Sequence, residues 1–284
     1  MKQPPGRPVA VISEADFERF RDHFYRKTGI HFESNKRYFV DKRLSDRMQS
    51  LGYEHFRDYF NHLRFDRQQE LQALINLMTV NETYFFREVY QLKCLVNSML
   101  DELVQHKRRG DRVRIWSMPC STGEEPYSIA MMLLEEWPAL QDWDVEILAS
   151  DIDTAALDRA RTALYEQRAV HSVPAHYLQR YFRPIMNNGR KQYQLKDDIK
   201  ESVGFSRVNL HSTADVRALG PLDVVFCRNL LIYFDEMSRR QAAEKLFDAL
   251  VPGGFICLGH SESMSRISPL FRARRFPDAM VYQK

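Results

Sequence analysis

Acidic side chains follow two short apolar runs that have the length of buried strands. Glu124 and Glu125 come after the run 113–116, and Asp151 comes just after the run 145–149. If both runs are parallel strands, their carboxyl ends meet at the edge of the sheet where ligands of open α/β folds bind. An acidic residue at the end of the second strand is suited to hold a ribose diol. Two carboxylates in the first loop would repel phosphate and attract a cation.

Amide side chains continue this pattern at the next two strand ends. Asn209 follows the run 203–208, and Asn229 follows the run 222–227. The first loop has neither a Gly-x-Gly-x-x-Gly fingerprint nor a Walker lysine, which argues against a pyrophosphate or triphosphate cradle. A ribose acceptor, carboxylates and amides without a phosphate-binding motif describe a nucleoside that carries a positive charge. S-adenosylmethionine is the obvious ligand of this kind.

Each acidic residue also has a purely structural interpretation. Ser121 and Glu124 have the spacing of a capping box, in which a hydroxyl and a glutamate close the first turn of a helix. Thr122 and Glu125 repeat that spacing. Asp153 is well placed to cap the helix after the second strand. Capping alone therefore stays an alternative for these acidic residues.

The elements that would position these side chains fall into two domains. Apolar residues recur at helical spacing up to about residue 80, and Gly29 and Gly52 fall where helices should end. We therefore expect an all-α domain at residues 1–80. A linker helix is predicted within residues 81–111, from about Tyr84 to Arg109.

From residue 112 to 284 short strands alternate with helices, which indicates an α/β domain with a mostly parallel sheet. Residues 271–283 read as a C-terminal antiparallel hairpin around Pro277. Residues 182–202 interrupt the alternation with a tight-turn signal at Asn188-Gly189, so we expect a small antiparallel β insertion there.

The charge of the chain is small and unevenly distributed. Residues 1–80 hold 14 of the 41 basic and 11 of the 38 acidic residues, so the formal net charge of +3 lies in this segment. Such a charge argues against a nucleic-acid binder. No apolar run approaches the ~18 residues of a membrane-spanning helix. Four widely spaced cysteines and unpaired histidines favour reduced thiols in an intracellular protein without a metal site.

Five segments closely resemble the chemotaxis receptor methyltransferases, the CheR family. They are residues 81–88 (NETYFFRE), 120–130 (CSTGEEPYSIA), 150–153 (SDID), 226–235 (FCRNLLIYFD) and 259–263 (GHSES). The match covers nearly the whole chain in one order. It implies the α/β fold of class I S-adenosylmethionine-dependent methyltransferases, with the small antiparallel insertion and the N-terminal all-α domain.

The resemblance also implies a function. The chain would transfer a methyl group from S-adenosylmethionine to glutamate side chains on cytoplasmic helices of chemoreceptors, giving glutamyl methyl esters and S-adenosylhomocysteine. Residues 1–80 would recognise the receptor, and the protein would be cytoplasmic and recruited to membrane receptor arrays. In some members the β insertion binds a C-terminal tail peptide of the receptor. Two alternatives stay open: methylation of another acceptor, and a signalling module that binds the cofactor without turnover.

Functional positions are implied one residue at a time. Arg87 and Tyr233 would be catalytic, with Tyr233 beside the reacting methyl group. Arg87 also has an interpretation as a solvated helix arginine, and Tyr233 as a core residue. Asp151 would take the ribose, Glu125 would lie near the methionine amino group, and no metal is implied. The cofactor-binding set is Asn81, Thr83, Arg87, Glu125, Asp151, Asn209, Leu210, Arg228 and Asn229.

Two further expectations concern the surface and the first loop. The basic residues of the second predicted helix would form either a solvated face or a dock for an acidic receptor helix. They are Lys36, Arg37, Lys42, Arg43 and Arg47. If they form a dock, reversing Arg43 and Arg47 to Glu should raise the KM for receptor. Met118-Pro119 stands where family members have small residues, and proline lacks an N–H donor, so loop shape or cofactor affinity should differ.

Overall fold

The computed structural model describes residues 12–65, 69–187 and 189–284. Its contacts divide the chain into two compact units. The first unit runs to Val80 and includes the short segment Tyr233–Asp235, and the second comprises Asn81–Ile232 and Glu236–Lys284. Within the described residues, no helix is long and apolar enough to cross a membrane.

The described residues of the first unit form four α-helices, which confirms the predicted all-α domain. They are α1 (Glu14–Thr28), α2 (Arg37–Leu51), α3 (Phe56–Phe65) and α4 (Gln69–Met78). Their apolar stripes meet in a core that includes the buried residues Phe20, Leu44 and Leu74. Helices α1 and α2 end at Gly29 and Gly52, whose φ angles of 75° and 79° belong to the left-handed region that glycine adopts without strain.

The segment Tyr233–Asp235 joins this unit through backbone and side-chain contacts. The backbone N–H of His31 donates to the carbonyl oxygen of Tyr233 at 3.0 Å. Ile30 and Phe234 form an antiparallel bridge. The Tyr25 hydroxyl donates to an Asp235 carboxylate oxygen at 3.0 Å.

The second unit opens with a helical stretch that is shorter than expected. It consists of α5 (Val89–Cys94), a π-helical turn (Leu95–Met99) and α6 (Leu100–Val104). The helix begins at Val89 rather than at Tyr84, because Phe86 and Glu88 adopt φ angles of 59° and 53° that a helix does not allow. Its apolar side chains lie in the core of the second unit, so it is part of this unit rather than a free connector.

Ten strands and seven further α-helices follow in the described part of the chain. The strands are β1 (Arg112–Ser117), β2 (Asp144–Asp151), β3 (Leu164–Glu166), β4 (Phe182–Asn187), β5 (Arg190–Leu195), β6 (Val203–Arg207), β7 (Leu222–Cys227), β8 (Leu250–Leu258), β9 (Arg272–Arg275) and β10 (Met280–Gln283). The helices are α7 (Glu124–Glu136), α8 (Thr154–Thr162), α9 (Ala175–Tyr181), α10 (Asp197–Lys200), α11 (Thr213–Ala218), α12 (Glu236–Ala249) and α13 (Met264–Ile267).

The main sheet has seven strands in the order β6-β2-β1-β7-β8-β10-β9. The first five are parallel, and β10 runs antiparallel to both β8 and β9. Every residue of β7 is buried, as a central strand covered on both faces requires. The predicted fold class is confirmed, including the C-terminal hairpin.

A second, three-stranded antiparallel sheet has the order β3-β5-β4. Strands β4 and β5 form the predicted insertion, joined through Gly189 with φ +74°, whereas Asn188 of the predicted turn lies outside the described residues. Strand β3, which comes earlier in the chain than the insertion, also belongs to this sheet. Strand β4 is at an edge of this sheet, and its residues after Phe182 are exposed.

Candidate active site

Asp151 lies at the carboxyl end of β2 and connects two loops. Its Oδ2 accepts a hydrogen bond from the backbone N–H of Ser121 at 2.8 Å, and its Oδ1 accepts one from the N–H of Asp153 at 2.9 Å. Burial raises the pKa of Asp151 to about 6, although both hydrogen bonds act in the opposite direction. The loop after β1 is thus attached to β2 by a carboxylate that retains free lone pairs for a ligand.

Asp153 has the capping role that the sequence allowed, and a second role besides. Its Oδ1 accepts from the N–H of Ala156 in the first turn of α8 at 3.0 Å. Its Oδ2 accepts from the side-chain amide of Asn81 at 2.7 Å. The Ser121 hydroxyl donates to Oδ1 of Asn81 at 3.2 Å, so Asn81 is held at the same strand ends as Asp151.

The loop before α7 is shaped by a glycine rather than by a capping box. Gly123 has φ +96°, and a Cβ there would lie 3.0 Å from side-chain atoms of both Ala160 and Tyr127. The N-cap residue Gly123 has no side chain, and the Ser121 hydroxyl is bonded to Asn81, so the capping box expected for Ser121 is wrong. Glu124 is buried, accepts from the Thr122 hydroxyl at 2.7 Å, and has a pKa raised by burial.

Arg228 follows β7 and lies between two carboxylates. Its side chain is only 3% exposed, and its Nη1 donates to Oε2 of Glu125 at 3.0 Å. Its Nη2 lies 3.3 Å from Oε2 of Glu88 and donates to the carbonyl oxygen of Arg87 at 2.8 Å. Burial raises the pKa of Glu125 although Arg228 opposes this, and Oε1 of Glu125 accepts from the Ser117 hydroxyl at 2.7 Å. The guanidinium therefore fixes both the Glu125 carboxylate and the backbone of Arg87.

The segment that carries Asn81, Thr83 and Arg87 is anchored along its length. Asn81 is bonded to Asp153, and the N–H of Phe86 donates to the Ser128 hydroxyl at 3.0 Å. The half-buried Arg87 side chain donates from Nη1 to the Glu82 carbonyl oxygen at 3.1 Å. Thr83 is half-buried between these anchors.

Glu88 was not among the predicted site residues, although it closes the motif at 81–88. Burial tends to raise its pKa, but Arg228 and hydrogen bonds from His260 and Tyr90 outweigh burial, so the pKa of Glu88 is lowered. The exposed His260 ring lies 3.3 Å from its Oε1. Glu88 is therefore an ionised partner for Arg228.

Two residues of the predicted cofactor-binding set, Asn209 and Leu210, follow β6. The backbone N–H of Asn209 donates to Asp215 at 3.0 Å, and its Oδ1 accepts from the N–H of His211 at 3.0 Å. Leu210 is 2% exposed. These contacts fix the conformation of the loop, but they occupy Oδ1 of Asn209 with a hydrogen bond inside a turn.

Asn229 lies next to Arg228 with φ +58°. Its backbone N–H donates at 2.7 Å to Glu262, a residue that sequence reasoning did not select. The signal was the motif at 259–263, which follows β8. We call the residues gathered at these carboxyl ends the strand-end site: Asn81, Arg87, Glu88, Ser121, Glu124, Glu125, Asp151, Asp153, Arg228, Asn229 and Glu262. Tyr233, the other predicted catalytic residue, is 38% exposed and belongs to the first unit.

The first unit also corrects the expectation of an open basic face on α2. Arg47 makes two hydrogen bonds, at 2.6 and 3.0 Å, to the buried carboxylate of Glu70, which also accepts from the Tyr59 hydroxyl at 2.6 Å. The Arg43 guanidinium donates to the Leu77 carbonyl oxygen at 2.8 Å and stacks on Phe39. Arg47 is partly exposed but pairs with a buried carboxylate, so its reversal to Glu would destabilise the helical unit rather than test docking.

The strand-end site has more negative than positive groups. Six carboxylates of low exposure (Glu88, Glu124, Glu125, Asp151, Asp153, Glu262) face two guanidinium groups. In the part of the chain that the structure describes, the buried Nε of Arg228 has no hydrogen-bond partner. A ligand with cationic groups and a carboxylate fits such a donor set, because it would balance the acidic excess and satisfy the orphaned N–H. S-adenosylmethionine carries a sulfonium, an ammonium and a carboxylate.

Two family descriptions together match most of the chain. "CheR methyltransferase, all-alpha domain" matches residues 15–79, and "CheR methyltransferase, SAM binding domain" matches residues 81–279. The chain belongs to the CheR methyltransferase family. The predicted family and cofactor are thereby confirmed, and S-adenosylmethionine is the cofactor of the second unit.

Several CheR relatives extend over nearly the same length. The chain is 54% identical to Chemotaxis protein methyltransferase 2 of Vibrio cholerae over 96% of this chain and 94% of the relative. It is 38% identical to Chemotaxis protein methyltransferase 2 of Pseudomonas aeruginosa, with 94% and 93% covered. Chemotaxis protein methyltransferase of Escherichia coli is 35% identical, with 93% and 90% covered.

Proposed function

We propose that this CheR protein acts in the cytoplasm and transfers the methyl group of S-adenosylmethionine to glutamate side chains on cytoplasmic helices of chemoreceptors. The products are glutamyl methyl esters and S-adenosylhomocysteine, and the reaction serves sensory adaptation. The observation that carries the proposal is the family match along both units, with the acidic strand-end site in the second.

We assign the binding roles from the geometry of the strand-end site and the family resemblance. Asp151 accepts hydrogen bonds from the ribose hydroxyls, because its carboxylate is buried at the end of β2 and already oriented by two N–H groups. Glu125 attracts the ammonium group of the methionine part. The Nε of Arg228 is available for the methionine carboxylate. Further contacts come from Asn81, Thr83, Arg87, Asn209, Leu210 and Asn229.

The acceptor needs orientation rather than activation. A glutamate side chain, with a reference pKa of ~4.3, is ionised at neutral pH, so the enzyme needs no general base. The bound cofactor supplies a methyl group activated by the sulfonium. Arg87 and Tyr233 orient the acceptor carboxylate on the axis of displacement and replace part of its hydration.

Tyr233→Phe tests this assignment. Loss of one hydrogen bond to a charged group should lower kcat about tenfold or more. Cofactor affinity, measured by calorimetry with S-adenosylhomocysteine, should be unchanged. An unchanged kcat would remove Tyr233 from the catalytic residues.

Receptor recognition is assigned to the helical unit, through a basic cleft between α1 and α3. The cleft has a volume of about 580 Å³ and is lined by Arg19, Asp22, His23, Arg26, Lys27, Phe60 and Arg64. Burial lowers the pKa of His23, and Lys27, Arg26 and Arg64 lower it further, so these positive charges converge on one place. An acidic helix of the receptor is the partner of complementary charge.

Reversing Arg19 and Arg64 to Glu is expected to raise the KM for receptor about fivefold at low salt. The effect should shrink as salt increases, because exposed charges are screened. Cofactor affinity should stay unchanged. The matched control is the reversal of Arg272 and Arg275, which are exposed on β9 and give the same change in net charge. Equal KM values for the two double variants would contradict docking at the cleft.

The β insertion provides a second contact, for the C-terminal tail of those receptors that have one. Strand β4 is an edge strand with exposed residues, among them Met186 at 71% exposure. An extended peptide can pair with such an edge through main-chain hydrogen bonds. Receptors with and without the tail should therefore differ in KM but not in the chemistry of the product.

Methyl-labelled S-adenosylmethionine and receptor-containing membranes test the function itself. Mild alkali should release the label from the receptor as volatile methanol, because it hydrolyses carboxyl methyl esters. Label that stays on the protein would indicate an N-methyl product and overturn the assignment. Absence of label from receptor, with cofactor binding intact, would favour another acceptor or a binding module without turnover.

A further inference from the structure

The carboxylate of Glu262 joins the loops that follow two neighbouring parallel strands. Strands β7 and β8 end side by side, with Cys227 paired to Leu258. Beyond them, Oε2 of Glu262 accepts from the N–H of Asn229 at 2.7 Å and from the N–H of Gly259 at 2.9 Å. One acceptor atom therefore holds both loops together.

Glycine at position 259 leaves the space that this arrangement needs. A Cβ at Gly259 would lie 2.6 Å from Nδ2 of Asn229 and 2.9 Å from Oε2 of Glu262. No real Cβ approaches other atoms so closely, so the Asn229 amide packs directly on the bare backbone. Asn229 itself has φ +58°, a left-handed conformation that asparagine tolerates better than most residues.

The conformation of Asn229 bears on the residue before it. Arg228 spans Glu125, Glu88 and the Arg87 carbonyl oxygen, and these contacts require its backbone to leave β7 in one direction. The N–H of Asn229 is partly buried and would lose its acceptor without Glu262. If the backbone of Asn229 then left the left-handed region, the Arg228 side chain and the Asn229 amide would move together.

We propose that Glu262 is a positioning residue for the cofactor. It holds the backbone of Asn229 in the left-handed conformation and thereby aims Asn229 and Arg228 into the strand-end site. The inference rests on the assignment of these two residues to cofactor binding, and it does not depend on the identity of the methyl acceptor.

Three variants and one control test the proposal. Glu262→Ala removes the acceptor, and the dissociation constant for S-adenosylhomocysteine should rise tenfold or more, as for loss of a hydrogen bond to a charged group. Glu262→Gln keeps one oxygen that can accept both N–H bonds, so it should recover most of the affinity. Gly259→Ala keeps the Glu262 carboxylate but crowds both the Asn229 amide and Oε2 of Glu262, and its affinity should fall like that of Glu262→Ala. Ser261→Ala, at an exposed position in the same loop, should match the parent protein.

Calorimetry and steady-state kinetics together separate positioning from a purely structural role. The KM for cofactor should rise in Glu262→Ala and Gly259→Ala while the KM for receptor stays constant. Variants that unfold at lower denaturant but keep the parent affinity would overturn the proposal, as would Gln and Ala variants with equal affinity. Because binding of the product needs no acceptor, a failed methanol assay would contradict the proposed function and leave this measurement intact.

Discussion

Asp151→Asn is expected to weaken cofactor binding about a hundredfold or more while the second unit stays folded. The substitution keeps the size of the side chain and removes its charge. The variant loses charge-assisted hydrogen bonds from two ribose hydroxyls, each of which contributes ~1.5–3 kcal/mol to the free energy of binding. Calorimetry with S-adenosylhomocysteine, with circular dichroism as a check on the fold, measures the effect. Undiminished affinity would remove Asp151 from the binding site.

The same variant should lose a pH dependence that the parent protein has. Burial places the pKa of Asp151 at about 6, and ribose hydroxyls favour its ionised form, so binding below that pH must release a proton. The parent affinity should be constant above pH ~7 and about tenfold weaker at pH 5 than at its plateau. Glu124, Glu125 and Glu262 also have raised pKa values, so the difference between parent and Asp151→Asn isolates Asp151. Parallel profiles for the two proteins would contradict the assignment.

Arg228→Met is expected to lower the free energy of unfolding of the second unit by about 3–5 kcal/mol at pH 8. The guanidinium is buried between Glu125 and Glu88, and its removal leaves two carboxylates of low exposure without their cation. Urea unfolding followed by tryptophan fluorescence is a selective measurement, because Trp116, Trp137 and Trp143 all lie in the second unit.

The loss should be smaller at pH 5, and the sign follows from the carboxylates. Without Arg228 their folded-state pKa values rise above the unfolded values, so proton uptake stabilises the folded variant as the pH falls. Arg112→Met is the matched control, because Arg112 also pairs with two carboxylates, Asp144 and Glu146, but is 53% exposed. Its loss should be much smaller, because water screens an exposed ion pair. Equal losses for the two variants would contradict the role of burial.

Much of the second unit could be predicted because its strands are short apolar runs. Strand β7 has the bounds that the run at 222–227 gave. All of its residues are buried, including Asp223, which forms an ion pair with Lys107. Residues 251–254 contain a proline and two glycines, which favour a turn. In the structure they are part of strand β8, which begins at Leu250, at a shift in its pairing with β7. Glycines indicate a break in regular structure, but they do not distinguish a turn from a bulge.

The candidate site was only partly predictable for a related reason. Position after a strand identified Asp151, Arg228 and Asn229, because the topology of the sheet brings strand ends together. The contacts of Glu88 and Glu262 depend on backbone conformations with positive φ and on a missing Cβ, which periodicity does not encode. Likewise, the spacing on α2 could not indicate that Arg47 would meet Glu70 from another helix.

The four cysteines are all free and buried, and each is in the second unit. Burial raises the pKa of Cys94 to about 11, and it raises the pKa values of Cys120, Cys227 and Cys257 as well. A thiol reagent reacts with thiolate, so in the folded protein it must wait for an opening of the chain. Cys120 begins the loop that Asp151 holds, whereas Cys227 and Cys257 lie one register position apart in the neighbouring strands β7 and β8. The labelling rate of Cys120 therefore reports opening of the cofactor loop, and the labelling rates of Cys227 and Cys257 separately report opening of the sheet.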